Sequence, residues 1–199
     1  MSAITIVRPN NISIQFKFNN SSLVVTMKQG DLSKEECDAI VNPTNNNMKP
    51  DGGLDNILHS VGGSFYSAQV MIMTKRFEEY SCPTGQSRIF LNDADNKTPF
   101  IINTVGPIYS AAECQKSALQ LTSCYYTSLS LANLYGLASI AYSAISCGQH
   151  AYPTEQAAKI AFESVQKYAF NVSDIRFVLF DQHIYDTFVN EWCKLANEK

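Results

Sequence analysis

Four short apolar runs constrain this chain more than any other feature: AIVN at Ala39–Asn42, FIINTV at Phe100–Val105, SIAYSAI at Ser139–Ile145 and IRFVLF at Ile175–Phe180. Each is too short for a buried helix and is bounded by turn residues, so each reads as a strand. Helix-length patterns lie between them. Leu54–Val61 follows a Gly-Gly turn, Ser64–Tyr80 ends near Pro83, and Cys114–Tyr135 is stopped by Gly136. A fourth opens at Pro153-Thr154 and runs to about Phe170. The last, Ile184–Leu195, sets Phe188, Trp192 and Leu195 on one face. Two further strands come first: the alternating Ser13–Phe18 (SIQFKF), and Leu23–Lys28, stopped at Gly30-Asp31. Strands followed by β-α alternation predict an α/β fold with a central mixed, mostly parallel sheet and helices on both sides. Ligands of such sheets bind beyond the carboxyl ends of the strands. The loops that matter are therefore Gly30-Asp31, Asn42 to Gly53, Ser146 to Tyr152 and Phe180 to Gln182.

The 199 residues suffice for one sizeable core, and neither a repeat nor a linker divides them. One domain over residues 1–199 is expected, with 1–22 as an N-terminal strand extension. Apolar residues at 45% against charged residues at 17% mark a globular chain. A formal charge of −3 argues against a nucleic-acid surface but not against a phosphate ligand, which backbone N–H groups and helix N-termini can hold. No apolar run reaches the length of a membrane span, so no membrane partner is expected. The opening MSAITIVRPNN carries no long apolar stretch, so no signal peptide is expected, and the chain is placed in the cytoplasm or nucleus. The six cysteines form no C-x-x-C pair and are expected as free thiols; with three histidines and no ligand spacing, a metal is not expected.

Chemistry concentrates in residues Gly30 to Gly63. Asp31, at a strand end, can cap the following turn or accept a hydrogen bond from an adenine amino group; residue chemistry by itself favours the cap. Asn42, Asn45, Asn46 and Asn47 share one polar loop. Asparagines suit turns, and their amides can also bracket ribose hydroxyls. Gly52-Gly53 permits close approach of backbone to a ligand. Asp55 and His59, four apart, share a helix face. Two readings stay open: a surface ion pair that compensates the helix dipole, or a carboxylate base held by an imidazole at a glycine-lined cleft. The loop Ser146-Cys147-Gly148-Gln149-His150-Ala151-Tyr152 joins a strand to a helix with small residues, which suits a phosphate cradle. Cys147 as a nucleophile is disfavoured, because His150 is the only base near it in sequence.

Together GDL…DAIVN…N, GGLD…H, IINTVGP, SIAYSAISCG and VLFD resemble the macrodomain superfamily over about Val25 to Phe188. The resemblance implies a three-layer α/β/α fold that binds ADP-ribose. Carried over, Asp31 with Leu32 meets the adenine amino group and Phe180 stacks on the base; the alternative for Phe180 is ordinary core. Asn42 and Asn45 approach the distal ribose. Gly52, Gly53 and Leu54 wrap the ribose and diphosphate from one side. Ser146, Cys147, Gly148 and Gln149 offer backbone donors from the other; His150 either covers the sugar, titrates or leaves the site open. Asn45, six intervening residues and then Gly52-Gly53-Leu54-Asp55 is similar to the signature of MacroD-type hydrolases, which His59 also matches. That implies catalytic roles for Asp55, Asn45 and His59 in releasing mono-ADP-ribose from acidic residues of proteins, or acetate from O-acetyl-ADP-ribose, with no cofactor. The partners implied are ADP-ribose and mono-ADP-ribosylated proteins. Two departures stand out. His150-Ala151 occupies positions where the family usually has an aromatic residue and then a glycine, which bears on catalysis more than on binding. Pro43-Thr44 stands where small alanines are common. The alternative function is a reader that binds ADP-ribosylated proteins without cleaving them.

Overall fold

The computed structural model describes residues 4–10, 13–18, 21–77, 81–94 and 97–198. The strands are β1 (Ile4–Asn10), β2 (Ser13–Phe18), β3 (Val24–Gln29), β4 (Ala39–Pro43), β5 (Ser87–Leu91), β6 (Phe100–Thr104), β7 (Ser139–Tyr142) and β8 (Asp174–Leu179). The helices are α1 (Gly53–Val61), α2 (Gly63–Phe77), α3 (Cys114–Leu134), α4 (Thr154–Tyr168) and α5 (Gln182–Asn197). One sheet runs in the order β1-β2-β3-β8-β7-β4-β6-β5. Its middle, from β3 to β6, is parallel throughout, and β1, β2 and β5 pair antiparallel at the two edges.

Side chains along a strand alternate faces, and this sorts the core into layers. Ala39 and Val41 of β4, Ile140 and Tyr142 of β7, and Ile175 and Phe177 of β8 join the large cluster under α3, α4 and α5. Their neighbours Ile40, Ala141 and Val178 pack on the opposite face with Leu58 of α1. Both faces are therefore covered, which is why these strands read as continuous apolar runs. Trp192 anchors the larger layer: it is fully buried and donates its indole N–H to the Ala158 carbonyl at 2.9 Å. Phe188 is buried beside it on α5, and Leu195 packs at the edge.

The sequence reading missed two strands, β1 and β5. Both are sheet edges. Strands β7 and β8 end before the predicted Ile145 and Phe180, because the chain turns out of the sheet there; Ser146 has φ 66° and Phe180 is 84% exposed. Helix α4 stops at Tyr168, short of Phe170, whose φ is 50°. Helix α5 starts two residues earlier than predicted, because the Asp181 carboxylate caps it by accepting from Ile184 N–H. The predicted end of the second helix at Tyr80 lies outside the described residues. Among the described residues no helix is long and apolar enough to cross a membrane.

Candidate functional site

The carboxyl ends of β3, β4, β6, β7 and β8 open into a cleft of about 500 Å³. One end is apolar and open. Val178, Leu179 and Ile184 form its wall with Leu32, and Phe180 stands on the rim in solvent rather than in the core. Asp31 lines the same end. Its Oδ1 accepts from Ser33 N–H at 3.0 Å and from the Ser33 hydroxyl at 2.7 Å, so the capping role is real. The Ser33 hydroxyl is the main reason the Asp31 carboxyl sits below its ordinary range.

Two loops flank the middle of the cleft. Gly52, with φ 83°, turns the chain into α1 and leaves that helix without a side-chain cap. A residue with a Cβ would be strained there, and the bare helix N-terminus is suited to an anion. Opposite, Ser146, Gly148, Gln149 and His150 line the wall. The N–H groups of Gly148, Gln149 and His150 have no acceptor among the described residues, which leaves them available to a ligand. The Cys147 N–H is bonded to the Ala144 carbonyl, and Cys147 is absent from the cleft wall. Burial pushes its thiol up to about 12, which removes it as a nucleophile. The two loops nearly meet: the Gln149 amide nitrogen lies 3.6 Å from where a Cβ on Gly52 would stand. Gly106, after β6, lets the second loop seat, because a Cβ there would fall 2.2 Å from Ser146 Oγ. Ala151 adopts φ 50°, a conformation that glycine takes without strain.

The far end is polar and buried. Asp55, in the first turn of α1, lines the cleft with only 5% of its surface exposed. Its Oδ1 accepts from Asn42 Nδ2 at 2.7 Å, and its Oδ2 accepts from the Thr44 hydroxyl at 3.1 Å and Asp51 N–H at 3.2 Å. Asn42 Nδ2 also reaches Asn103 Oδ1 of β6 at 3.1 Å, and the Tyr66 hydroxyl of α2 donates to the same oxygen at 2.8 Å. Asn42 is fully buried, lies outside the cleft wall, and holds the Asp55 carboxylate through its amide. His59 lies behind Asp55, with Nε2 3.5 Å from Oδ1, and is not part of the wall. Burial of both side chains rules out the surface ion pair. Burial raises the Asp55 carboxyl and lowers the His59 imidazole from their ordinary values, and their mutual attraction only partly opposes this. Asn45 lines the cleft, but its amide closes its own loop. It donates to the Lys49 carbonyl at 2.7 Å and accepts from Asn47 and Lys49 N–H, so it locks its own turn.

Sequence reasoning missed Thr44, Tyr66 and Asn103 as members of this network. Asn103 lay inside the IINTVGP motif without a role, and Thr44 was noticed only as a departure. Nothing in the sequence pattern singles out Tyr66. Among the described residues no group of three or more His, Cys, Asp or Glu side chains could hold a metal ion.

Residues 41–161 match the family described as Macro domain. A macro domain-containing protein of Streptomyces nogalater is 36% identical over 167 residues, covering 84% of this chain and 91% of that protein. Among solved structures, the Oceanobacillus iheyensis macrodomain with ADP superposes with a TM-score of 0.85 at 27% identity, over 94% of this chain and 98% of that one. The Trypanosoma brucei macrodomain in complex with ADP-ribose gives a TM-score of 0.69 at 26% identity, over 85% and 68% respectively. Its sheet order, its cleft at the strand ends and these matches agree: the chain belongs to the macro domain family.

Proposed function

We propose that this chain binds ADP-ribose in the cleft and hydrolyses the ester that joins mono-ADP-ribose to an acidic side chain of a modified protein, in the manner of MacroD-type hydrolases. The observation that carries the reading is a single buried carboxylate, Asp55, at the polar end of a cleft whose middle offers unpaired N–H groups and whose other end is apolar. Adenine against Phe180 and the diphosphate against the two loops supply binding energy away from the reacting carbon, which is how a substrate is positioned. The oxygen of a water bonds to the anomeric carbon as the bond from that carbon to the ester oxygen breaks. The electron pair leaves with the protein carboxylate, and the proton of the water passes to Asp55. A carboxyl raised by burial is a better proton acceptor than a solvated one. Its negative charge also opposes the oxocarbenium charge that develops on the sugar. O-acetyl-ADP-ribose is a small ester of the same nucleotide sugar and suits the same cleft.

A second reading, a reader that binds without cleaving, draws on two observations. Asp55 is already ringed by protein donors, and Ala151 holds a backbone conformation suited to glycine. Calorimetric titration with ADP-ribose, followed by a demodification assay on an ester-modified protein, separates the two. Binding with release supports the hydrolase, binding without release supports the reader, and no binding at millimolar ligand overturns both.

A further inference from the structure

We propose that the Thr44 hydroxyl is a built-in restraint on Asp55, filling the position on that carboxylate through which a water or sugar hydroxyl from the cleft would be held. The proposal rests on the reading of Asp55 above and concerns how that residue meets its ligand.

A carboxylate offers two oxygens with about four lone-pair positions. Three hydrogen bonds from protein reach Asp55, two of them on Oδ2. Oδ2 accepts from Thr44 Oγ1 and Asp51 N–H, while Oδ1 accepts from Asn42 Nδ2 and faces His59 Nε2. Asn42 and His59 stand behind the carboxylate, outside the cleft wall, whereas Thr44 and Asp51 stand in the wall with it. The Asp51 donor is backbone and moves only if its loop moves. The Thr44 hydroxyl is therefore the wall partner that can leave by rotation about one side-chain bond. Its backbone is pinned, because Thr44 N–H bonds to the Thr104 carbonyl at 2.9 Å and carries the β4–β6 pairing one residue past Pro43. The residue is 6% exposed, and β-branching stiffens its first torsion, so the hydroxyl is held on Asp55 unless displaced. Placing a water on Oδ2 requires that hydroxyl to leave. The hydroxyl thus weighs on turnover rather than on capture.

Wild type, Thr44→Ala and Thr44→Ser are compared in release of ADP-ribose from an ester-modified protein, with kcat and KM separated. The Asp55 carboxyl is also titrated by carbon NMR in the free protein. Thr44→Ala is expected to raise kcat about tenfold, the scale of one hydrogen bond to a charged group, with little change in KM. Its Asp55 titration is expected to move to higher pH, since a donor has been removed. Thr44→Ser, which keeps the hydroxyl, is expected to restore both the slow release and the original titration. Release by Thr44→Ala no faster than wild type, in a protein whose Asp55→Ala variant is inactive, overturns the proposal and leaves the hydrolase reading standing. An unmoved Asp55 titration in Thr44→Ala overturns it whether or not any release is seen. Absence of release from wild type and Thr44→Ala alike, with the titration moved, removes the hydrolase reading and retains the hydroxyl on the carboxylate.

Discussion

The two ends of the cleft are built on opposite principles. At the end beside β8, Phe180 is 84% exposed, and the polar group nearby, Asp31, is occupied with capping its own turn. At the other end Asp55 is 5% exposed and anchored by side chains from β4 and the loop that follows it, in a network that reaches β6 and α2. An exposed ring leaves water cheaply when a flat base covers it, and it asks little of its neighbours. A buried carboxylate is tolerated only when donors surround it, and those donors fix its orientation before any ligand arrives. Under the proposed function the contrast reads as a division of labour: the open end would supply affinity, and the closed end geometry.

That division predicts variants whose effects separate. The largest is Asp55→Ala. It should lower release of ADP-ribose by about 10²–10⁴-fold, the range of a general base, while calorimetry still finds ADP-ribose bound. Turnover equal to wild type would remove Asp55 from the chemistry and erase the contrast. Next is Gly106→Ala, which presses a methyl group against Ser146 and Ile145 at 2.2 and 2.8 Å. A loss of about 1–3 kcal/mol in denaturant melting is expected, with weaker ADP-ribose binding because the second loop is displaced. An unshifted midpoint would mean that this loop is not seated on Gly106. Phe180→Ala should weaken ADP-ribose binding about tenfold, the scale of one base stacked on an aromatic ring, while release at saturating substrate is unchanged. A fall in kcat as large as that from Asp55→Ala would show that the two ends are not separable.

The smallest effect is a pH dependence of stability. His59 is lowered by burial, so in the window below its ordinary value of 6.5 the unfolded chain takes up a proton that the folded chain resists. Stability from His59 is therefore present above that value and is lost as pH falls through its folded one. Asp55 is raised, so its contribution runs the other way: it is present at low pH and is lost as pH rises through its folded value. Denaturant midpoints across this range should fall less steeply on acidification in His59→Gln than in wild type. Identical slopes would mean that His59 is no more buried from protons when folded than when unfolded.

Much of the fold was legible because apolar runs of strand length alternate with amphipathic stretches of helix length. AIVN and IRFVLF declare strands covered on both faces, and a sheet covered on both faces leaves its strand ends as the place for a ligand. The edge strands β1 and β5 were not legible. Each pairs on one side only, and Ile4 and Ile6 of β1 and Ile89 of β5 pack at the margin of the core. In the site, the glycines and small residues announced the loops. Sequence spacing did not reveal that the Cys147 N–H is bonded to the Ala144 carbonyl or that the Asn42 amide is bonded to Asp55, because spacing cannot say which polar groups the fold itself consumes.

The sequence by itself determined the layers, the cleft at the strand ends and the shared helix face of Asp55 and His59, since each follows from a local period. Only the tertiary structure decided how deep that face lies. Asp55 is held by Asn42 and Thr44, 13 and 11 residues away, and Asn42 in turn by Asn103, 61 residues away. The physical reason is that backbone geometry sets a side chain's direction within a few residues, whereas burial, and with it the shift of a carboxyl, is set by whatever the rest of the chain packs against it.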